Sequence, residues 1–460
     1  MLDRRKFLTL SGAASLGFGV SLAPHITQAA ALPSPSQSHS LNAADFGLKP
    51  NSSANQSAAL QTAINAAATQ NLPLFIAAGS YIVADIMLPN DIHVFGVYGK
   101  SILRQRGDIP ILLNRESRTI TLENLMFDGN QSAPQIGAII SFSYTNNIHI
   151  ARCHFYNGKG SGLDLFKCSG EVSSNKFYDL GQTALFSNDG KNLKISQNDI
   201  QDIGNNGILV WQSDKDDDGS IISNNHISKI KTNNGGNGQN GNGVNVFRAN
   251  NVIVSNNRFD DCAYSAVRIN AGDNCQIINN NCTNIGEVAL YAEFGFNGVI
   301  INNNLVDLAG AGISITNLDQ GGHLAVCKGN LLRNLTLHAT ATQYDDARAF
   351  GIGAEADALI EGNIVENATH YGIIGGFGEF QRNVNVLNNM IKDCGYGITP
   401  SVAPNAGKMF ISHNHISNAK LGAVVGFEWD QPKSSELAGK QQDFGQGQYP
   451  NLSLHNNVVS

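Results

Sequence analysis

A parallel β-helix is the fold this sequence predicts, on three observations. An asparagine-centred motif recurs along most of the chain, copies follow one another at about 23 residues, and a chain with 48 glycines and only 15% charged residues is built from turns rather than amphipathic helices. A period in the low twenties, with an apolar residue at alternate positions of short strands, is what one coil of such a solenoid requires. Leucine-rich and helical repeats would need a leucine ladder or a 3.6-residue apolar stripe, and the repeats carry neither. A repetitive solenoid also explains how a mature chain of roughly 420 residues forms one domain.

The first element is a leader. Asp3-Arg4-Arg5-Lys6-Phe7-Leu8, followed by a mild apolar run diluted by Gly12, Ser15, Gly17 and Gly19, resembles the twin-arginine export signal of bacteria. Ala29-Ala30-Ala31 offers a small-residue cleavage site, so residues 1–31 read as a signal peptide and 32–40 as a Pro/Ser-rich linker. The apolar run is shorter than the ~20 residues a membrane span needs, which leaves no stable anchor after cleavage. The expected location is periplasmic or secreted, and the expected partner at this end is the twin-arginine machinery. A formal net charge of −7 repels nucleic acid and anionic membrane surfaces.

Residues 41–460 are expected to be a single β-helix domain, with 41–100 as cap and first strands and 101–460 as coils. A helix is predicted from about Asn55 to Thr69, with Leu60, Ile64 and Ala67 as its apolar stripe. The coils begin to repeat visibly at "NKFYDL" from Asn175 and continue through Asn198, Asn225, Asn257, Asn280, Asn303, Asn330, Asn363, Asn389 and Asn414. Each copy reads Asn, any residue, apolar, any, usually Asp or Asn, apolar. Steps of 23 separate Asn175 from Asn198, Asn257 from Asn280, and Asn280 from Asn303; longer steps are the same unit plus a loop. Asparagine suits these corners because it tolerates the left-handed conformation and its amide bonds to its copy on the next coil. Cys282 falls in the slot of Phe259, Ile200 and Leu305, and Cys262 and Cys394 in that of Ile203, Leu180 and Leu308, as small core residues. No cysteine spacing suggests zinc.

Asp45-Phe46-Gly47, Ala59 to Ile64 and Gly79-Ser80-Tyr81 resemble the start of the pectate-lyase-like superfamily, where an Asp-Phe-Gly lead-in, a capping helix and an apolar-Gly-x-Tyr strand open a right-handed β-helix. With the leader and the asparagine repeats, the whole chain resembles the twin-arginine-translocated repeat proteins, whose function is not established. The resemblance implies right-handed coils, an N-terminal capping helix and a groove facing carbohydrate. Gly-His-Gly, Asp-Pro-His-Asp and Arg-x-Pro-x-x-Arg, the marks of polygalacturonases, mannuronan epimerases and pectate lyases, are absent from the sequence.

Nine residues after most corner asparagines a Gly or Ala opens an alternating strand, as in "GILVW" from Gly207 and "ALYAE" from Ala289. Ile208, Val244, Val267, Leu290 and Ile313 then point inward. Leu209, Asn245, Arg268, Tyr291 and Ser314 form one outward row, and Trp211, Phe247, Asn270, Glu293 and Thr316 a second. Insertions on both borders, near 212–242 and 318–348, are expected to wall this face into a trough. Arg268, Tyr291 and Glu293 are the catalytic candidates for elimination or epimerisation of a uronate. Arg268 would neutralise the carboxylate, Tyr291 would carry the proton as a phenolate favoured by Arg268, and Glu293 would orient. Trp211, Asn245, Phe247, Asn270 and Glu355 are the substrate-binding candidates, and the partner is an acidic polysaccharide. Glu293 and Glu355, about two or more coils apart, suit a hydrolase less well. The alternative is a glycan-binding solenoid without catalysis, in which Arg268 and Glu293 form a surface salt bridge. Asp214, Asp216 and Asp218 in "DKDDDG" match the opening of a calcium loop, which makes Ca2+ the candidate cofactor; a solvated acidic loop is the alternative.

Overall fold

The computed structural model describes residues 40–132, 138–236, 238–317, 322–337 and 348–460. The expected leader 1–31 and all but the last residue of the linker lie outside them, as do residues 318–321 and 338–347 of the expected trough wall. Ser40–Ser460 form one compact unit, a right-handed parallel solenoid of about 14 turns.

The corners make the coil. The asparagines at 175, 198, 225, 257, 280, 304, 330, 363, 389 and 414 are each 0–2% exposed. Asn257 shows their bonding: its Oδ1 accepts from the backbone N–H of Asn225 (2.9 Å) and from Asn225 Nδ2 (3.0 Å), while its own Nδ2 donates to Ile222 O (3.0 Å) and to Asn280 Oδ1 (3.1 Å). Every polar atom of the amide is thus used inside a coil where no water reaches. The left-handed backbone falls to other residues than expected. It occurs one position before the ladder, at Ser174, Gln197, Asn224 and Asn256, and four positions after it, at Asp179, Asp202, Lys229 and Asp261. The ladder amide needs an extended backbone to reach its neighbour, so the two duties are divided.

One frame assignment is corrected. The ladder residue after Asn280 is Asn304, 24 residues on, and Asn303 is the left-handed residue before it. Val306 and Ala309, fully buried, therefore occupy the core slots expected for Leu305 and Leu308; Cys282 pairs with Val306, and Leu308 is 46% exposed. Three consecutive asparagines, Asn302 to Asn304, make the register ambiguous to pattern alone, and burial of the apolar pair decides it.

Each coil carries three strands, as in Asp199–Ile203, Asn206–Asp217 and Ile221–Ser223. The third strands stack into one sixteen-stranded parallel sheet, while the first two run together at the corner between them, so that Asn281–Glu293 spans both. Copies of the same slot stack in the core: Phe155 lies 4.6 Å from Phe177 with rings 6° apart. All seven cysteines are buried and free. Among the described residues the α-helix is Ser57–Gln70, two residues later than expected because Ser52–Asn55 pairs as a strand with Gly79–Val83. Its buried face is Leu60, Ala63, Ile64 and Ala67, and Asn71 ends it in the left-handed conformation at φ 52°.

Candidate functional site

The second strand of each coil carries the two expected outward rows, in the expected register. Leu209 pairs with Asn245, Asn245 with Arg268, Arg268 with Tyr291, and Tyr291 with Ser314. Beside them run Trp211, Phe247, Asn270, Glu293 and Thr316. Parallel pairing sets the step at about 4.8 Å per coil.

The open part of this face lies further toward the C-terminus than expected. Residues 231–236 and 238–241, read as a wall, fold over the row instead. Asn245 is 5% exposed and its Nδ2 donates to Gln239 O at 3.4 Å; Tyr264 Oη donates to Gly236 O at 2.8 Å. Gly238, at φ 123°, rests on the guanidinium of Arg268, where a Cβ would fall 1.5 Å from Nη1. Trp211 sits between Phe186 and Phe247 with ring centroids 5.2 and 5.6 Å away, and its buried Nε1 meets no acceptor. Trp211, Asn245, Phe247 and Asn270 do not line the cavity that opens further along this face.

Arg268 and Glu293 come together, buried rather than at the surface. Arg268 Nε and Nη2 donate to Glu293 Oε1 and Oε2 at 2.7 and 2.9 Å, and Asn270 Nδ2 donates to Oε1 at 2.8 Å. Their side chains are 13% and 3% exposed. Burial works against the arginine's charge, but the bidentate carboxylate outweighs it and raises the arginine's pKa. Tyr291 lies beneath this pair, its ring 5.0 Å from Arg268 Cζ. Burial, with the Glu293 charge behind it, pushes its hydroxyl up to about 12. Arg268 does pull the hydroxyl's pKa down, as expected, but burial and the Glu293 charge outweigh that pull.

From Tyr291 the first row continues in register through Ser314, Gly353, Ile374 and Thr399, about 19 Å over five coils. These five form the floor of a half-enclosed cavity of about 500 Å3. Small side chains at Ser314 and Gly353 make the depression between Tyr291 and the aromatic end wall of Tyr371, Phe377, Phe427 and Trp429. Arg268, Glu287, Arg348, Glu355 and Asp430 bring charge to it. Glu355 also holds the backbone: its Oε2 accepts Asn317 N–H at 2.7 Å.

Glu287 was not among the sequence candidates. It stands at the corner just before Ala289, where the pairing with the next coil shifts register between Ile285 and Val288, so strand alternation assigns it no face. Burial, and the nearby Glu293 charge, push its carboxyl up to about 6 against the opposing pull of Arg268. Glu287 Oε2 and Arg268 Nη1 are both buried without a hydrogen-bond partner. Burial leaves this carboxyl able to hold or release a proton near neutrality.

The calcium candidates are not brought together. Asp214 to Asp217 continue the strand that begins at Asn206 instead of curling into the tight loop that wraps a calcium ion. Asp216 pairs with Lys191 Nζ at 2.7 Å. Asp218 is 1% exposed, accepts from Gln212 Nε2 (2.8 Å) and Ser220 N (3.0 Å), and its pKa is raised by burial. Among the described residues no three His, Cys, Asp or Glu side chains converge as cation ligands.

A family model described as a right-handed beta helix region matches residues 96–227 and, with the parallel solenoid, supports the pectate-lyase-like superfamily. No curated protein matches the chain. Among solved structures it is similar to PfbA, a surface adhesin of Streptococcus pneumoniae, at 14% identity and TM-score 0.51, over 81% of this chain and 91% of that one. It is similar to the A-module of the Azotobacter vinelandii mannuronan C-5 epimerase AlgE6 at 15% identity and TM-score 0.52, over 81% and 98%. The N-terminal fragment of bacteriophage phi29 gene product 12 matches at 11% identity and TM-score 0.55, over 91% and 71%. At these identities the likeness is one of fold.

Proposed function

We propose that this is an exported carbohydrate-active protein that takes a stretch of polysaccharide along the Tyr291-to-Thr399 floor, with Glu287 as its proton carrier. The observation that carries this reading is a cavity combining an aromatic end wall with a buried carboxyl whose pKa is pushed to about 6. Aromatic rings cover the apolar faces of sugars, and a carboxyl titrating near neutrality gives a proton to a glycosidic oxygen and regains it from water as the C–O bond is hydrolysed.

The charge around the cavity favours a neutral glycan over the acidic one expected. Once Arg268 and Glu293 are counted as a neutral pair, Glu287, Glu355 and Asp430 face, among the described residues, the single guanidinium of Arg348. A polyuronate would meet net repulsion. Elimination and epimerisation also lose their base, since Tyr291 is held protonated.

A second reading, binding without turnover, is favoured by the locking of Arg268 and Glu293 into each other. Incubation with neutral and uronate polysaccharides separates the two. New reducing ends from a neutral glycan, lost in Glu287→Gln while binding persists, support catalysis. Turnover unchanged by Glu287→Gln removes Glu287 from the chemistry. Release of unsaturated products from a polyuronate would return the reaction to a lyase. Export by the twin-arginine route is part of the same proposal: parallel sheets rest on non-local contacts and fold slowly, which suits a pore for folded cargo. Arg4→Lys with Arg5→Lys is expected to strand the precursor in the cytoplasm, and normal delivery of that variant would exclude the route.

A further inference from the structure

The end wall of the cavity has a feature that packing alone does not account for. Phe427–Glu428 and Gln431–Pro432 form a two-stranded antiparallel hairpin on the side of the parallel solenoid, and Trp429 and Asp430 are its tip. Trp429 adopts φ 54°, a left-handed conformation that a bulky side chain rarely takes. Its seat is Gly378, itself at φ 54°, where a Cβ would come within 2.2 Å of the indole ring. Phe377 and Phe380 flank the indole edge-to-face at 5.1 and 6.0 Å. For all this support, Trp429 remains 42% exposed, with Phe377 at 36% and Phe380 at 38%. Folding gains little from straining the backbone to present a large aromatic to water, and an exposed cluster of this kind on a cavity rim marks a binding surface.

We infer that Trp429 is the sugar-ring platform of the cavity, against which the apolar face of a neutral pyranose stacks, with the Asp430 carboxylate beside it to accept a hydroxyl proton. The inference rests on the reading of the cavity as a glycan site and adds to it the subsite and the kind of sugar. The hairpin sets the height of the ring above the floor residues Ile374 and Thr399, and the two phenylalanines hold its orientation. A pyranose with equatorial hydroxyls offers a continuous C–H face to such a ring, and burying that face against it contributes as any apolar burial does.

The chain has two tryptophans, and the other, Trp211, is packed between Phe186 and Phe247 away from the cavity. Tryptophan emission therefore reports on the platform directly. Neutral β-linked gluco- and manno-oligosaccharides, with oligouronates beside them, are titrated into the full protein while calorimetry follows binding. The expected result is a saturable shift in emission with a neutral oligosaccharide, absent in Trp429→Phe, and a Kd about tenfold higher in Trp429→Ala. Gly353→Leu, which fills the floor, is the control for the cavity itself. If that variant loses calorimetric binding while Trp429→Ala binds like the parent and emission never moves, the platform is refuted and the glycan cavity stands. If no oligosaccharide binds the parent protein, both are refuted.

Discussion

Replacing Glu287 by Gln should stabilise the protein increasingly above about pH 4.5, with the full effect above about pH 6. The carboxyl is pushed from its ordinary 4.5 up to about 6, mainly by burial, so the folded state holds its proton more tightly than the unfolded chain does. Between those two values the folded state binds more protons, and stability falls as pH rises through the window. Below about 4.5 the group is protonated in both states and costs nothing by this route; above about 6 it is charged in both, and the whole penalty is present. A rise from 4.5 to about 6 corresponds to about 2 kcal/mol. The amide has nearly the same shape and cannot ionise. Urea unfolding of parent and variant at intervals from pH 4 to pH 8 should show a difference that opens between pH 4.5 and 6 and levels off near 2 kcal/mol in favour of Gln. Because a long solenoid need not unfold in one step, the difference between the two proteins is the quantity to follow. A difference that is flat with pH, or that favours Glu at pH 7, would refute the argument that burial dominates at this site.

Three further outcomes follow from the same structure. Arg268→Ala leaves the buried Glu293 carboxylate without its bidentate partner and should cost about 3–5 kcal/mol, whereas Arg268→Met combined with Glu293→Leu should lie closer to the parent; comparing their unfolding midpoints tests this. Asn257→Ala leaves the backbone N–H of Asn225 without an acceptor and its Nδ2 with only Ile195 O, so thermal or urea unfolding should show a loss of about 1–3 kcal/mol. Calcium should leave the melting curve of the parent and of Asp216→Asn equally unmoved, because Asp214, Asp216 and Asp218 do not converge; a calcium-dependent rise in Tm confined to the parent would reinstate the site.

How far the site could be read in advance depended on which physical rule governed each part. Side-chain alternation has period two and the coil repeat aligns equivalent residues, so the register of Asn245, Arg268, Tyr291 and Ser314, and of Phe247, Asn270, Glu293 and Thr316, could be written down from the pattern. The same rule gave the wrong residue where three asparagines run together at 302–304, because nothing in a repeated letter says which copy turns the corner. It was silent on Glu287, which sits where the alternation breaks. A carboxylate seven residues after the corner Asn280, just ahead of the core pair Ala289-Leu290, was the available signal. The loops lay beyond pattern. That Gly238 closes over Arg268, and that Trp429 at a hairpin tip seats on Gly378 some fifty residues earlier, follows from long-range packing without periodicity. Burial likewise decided the chemistry of Arg268 and Tyr291: adjacency was legible, while the loss of water that ties the arginine to Glu293 and holds the tyrosine protonated was not.

The central claim is that a glycan lies on the floor from Tyr291 to Thr399, under Trp429. A crystal structure with a neutral oligosaccharide bound tests it most directly. Sugar rings are expected over Ser314 and Gly353, one of them stacked on Trp429, with Glu287 within hydrogen-bonding distance of a glycosidic oxygen. Sugar bound instead along Trp211 and Phe247, or on another face of the solenoid with this cavity empty, would contradict it.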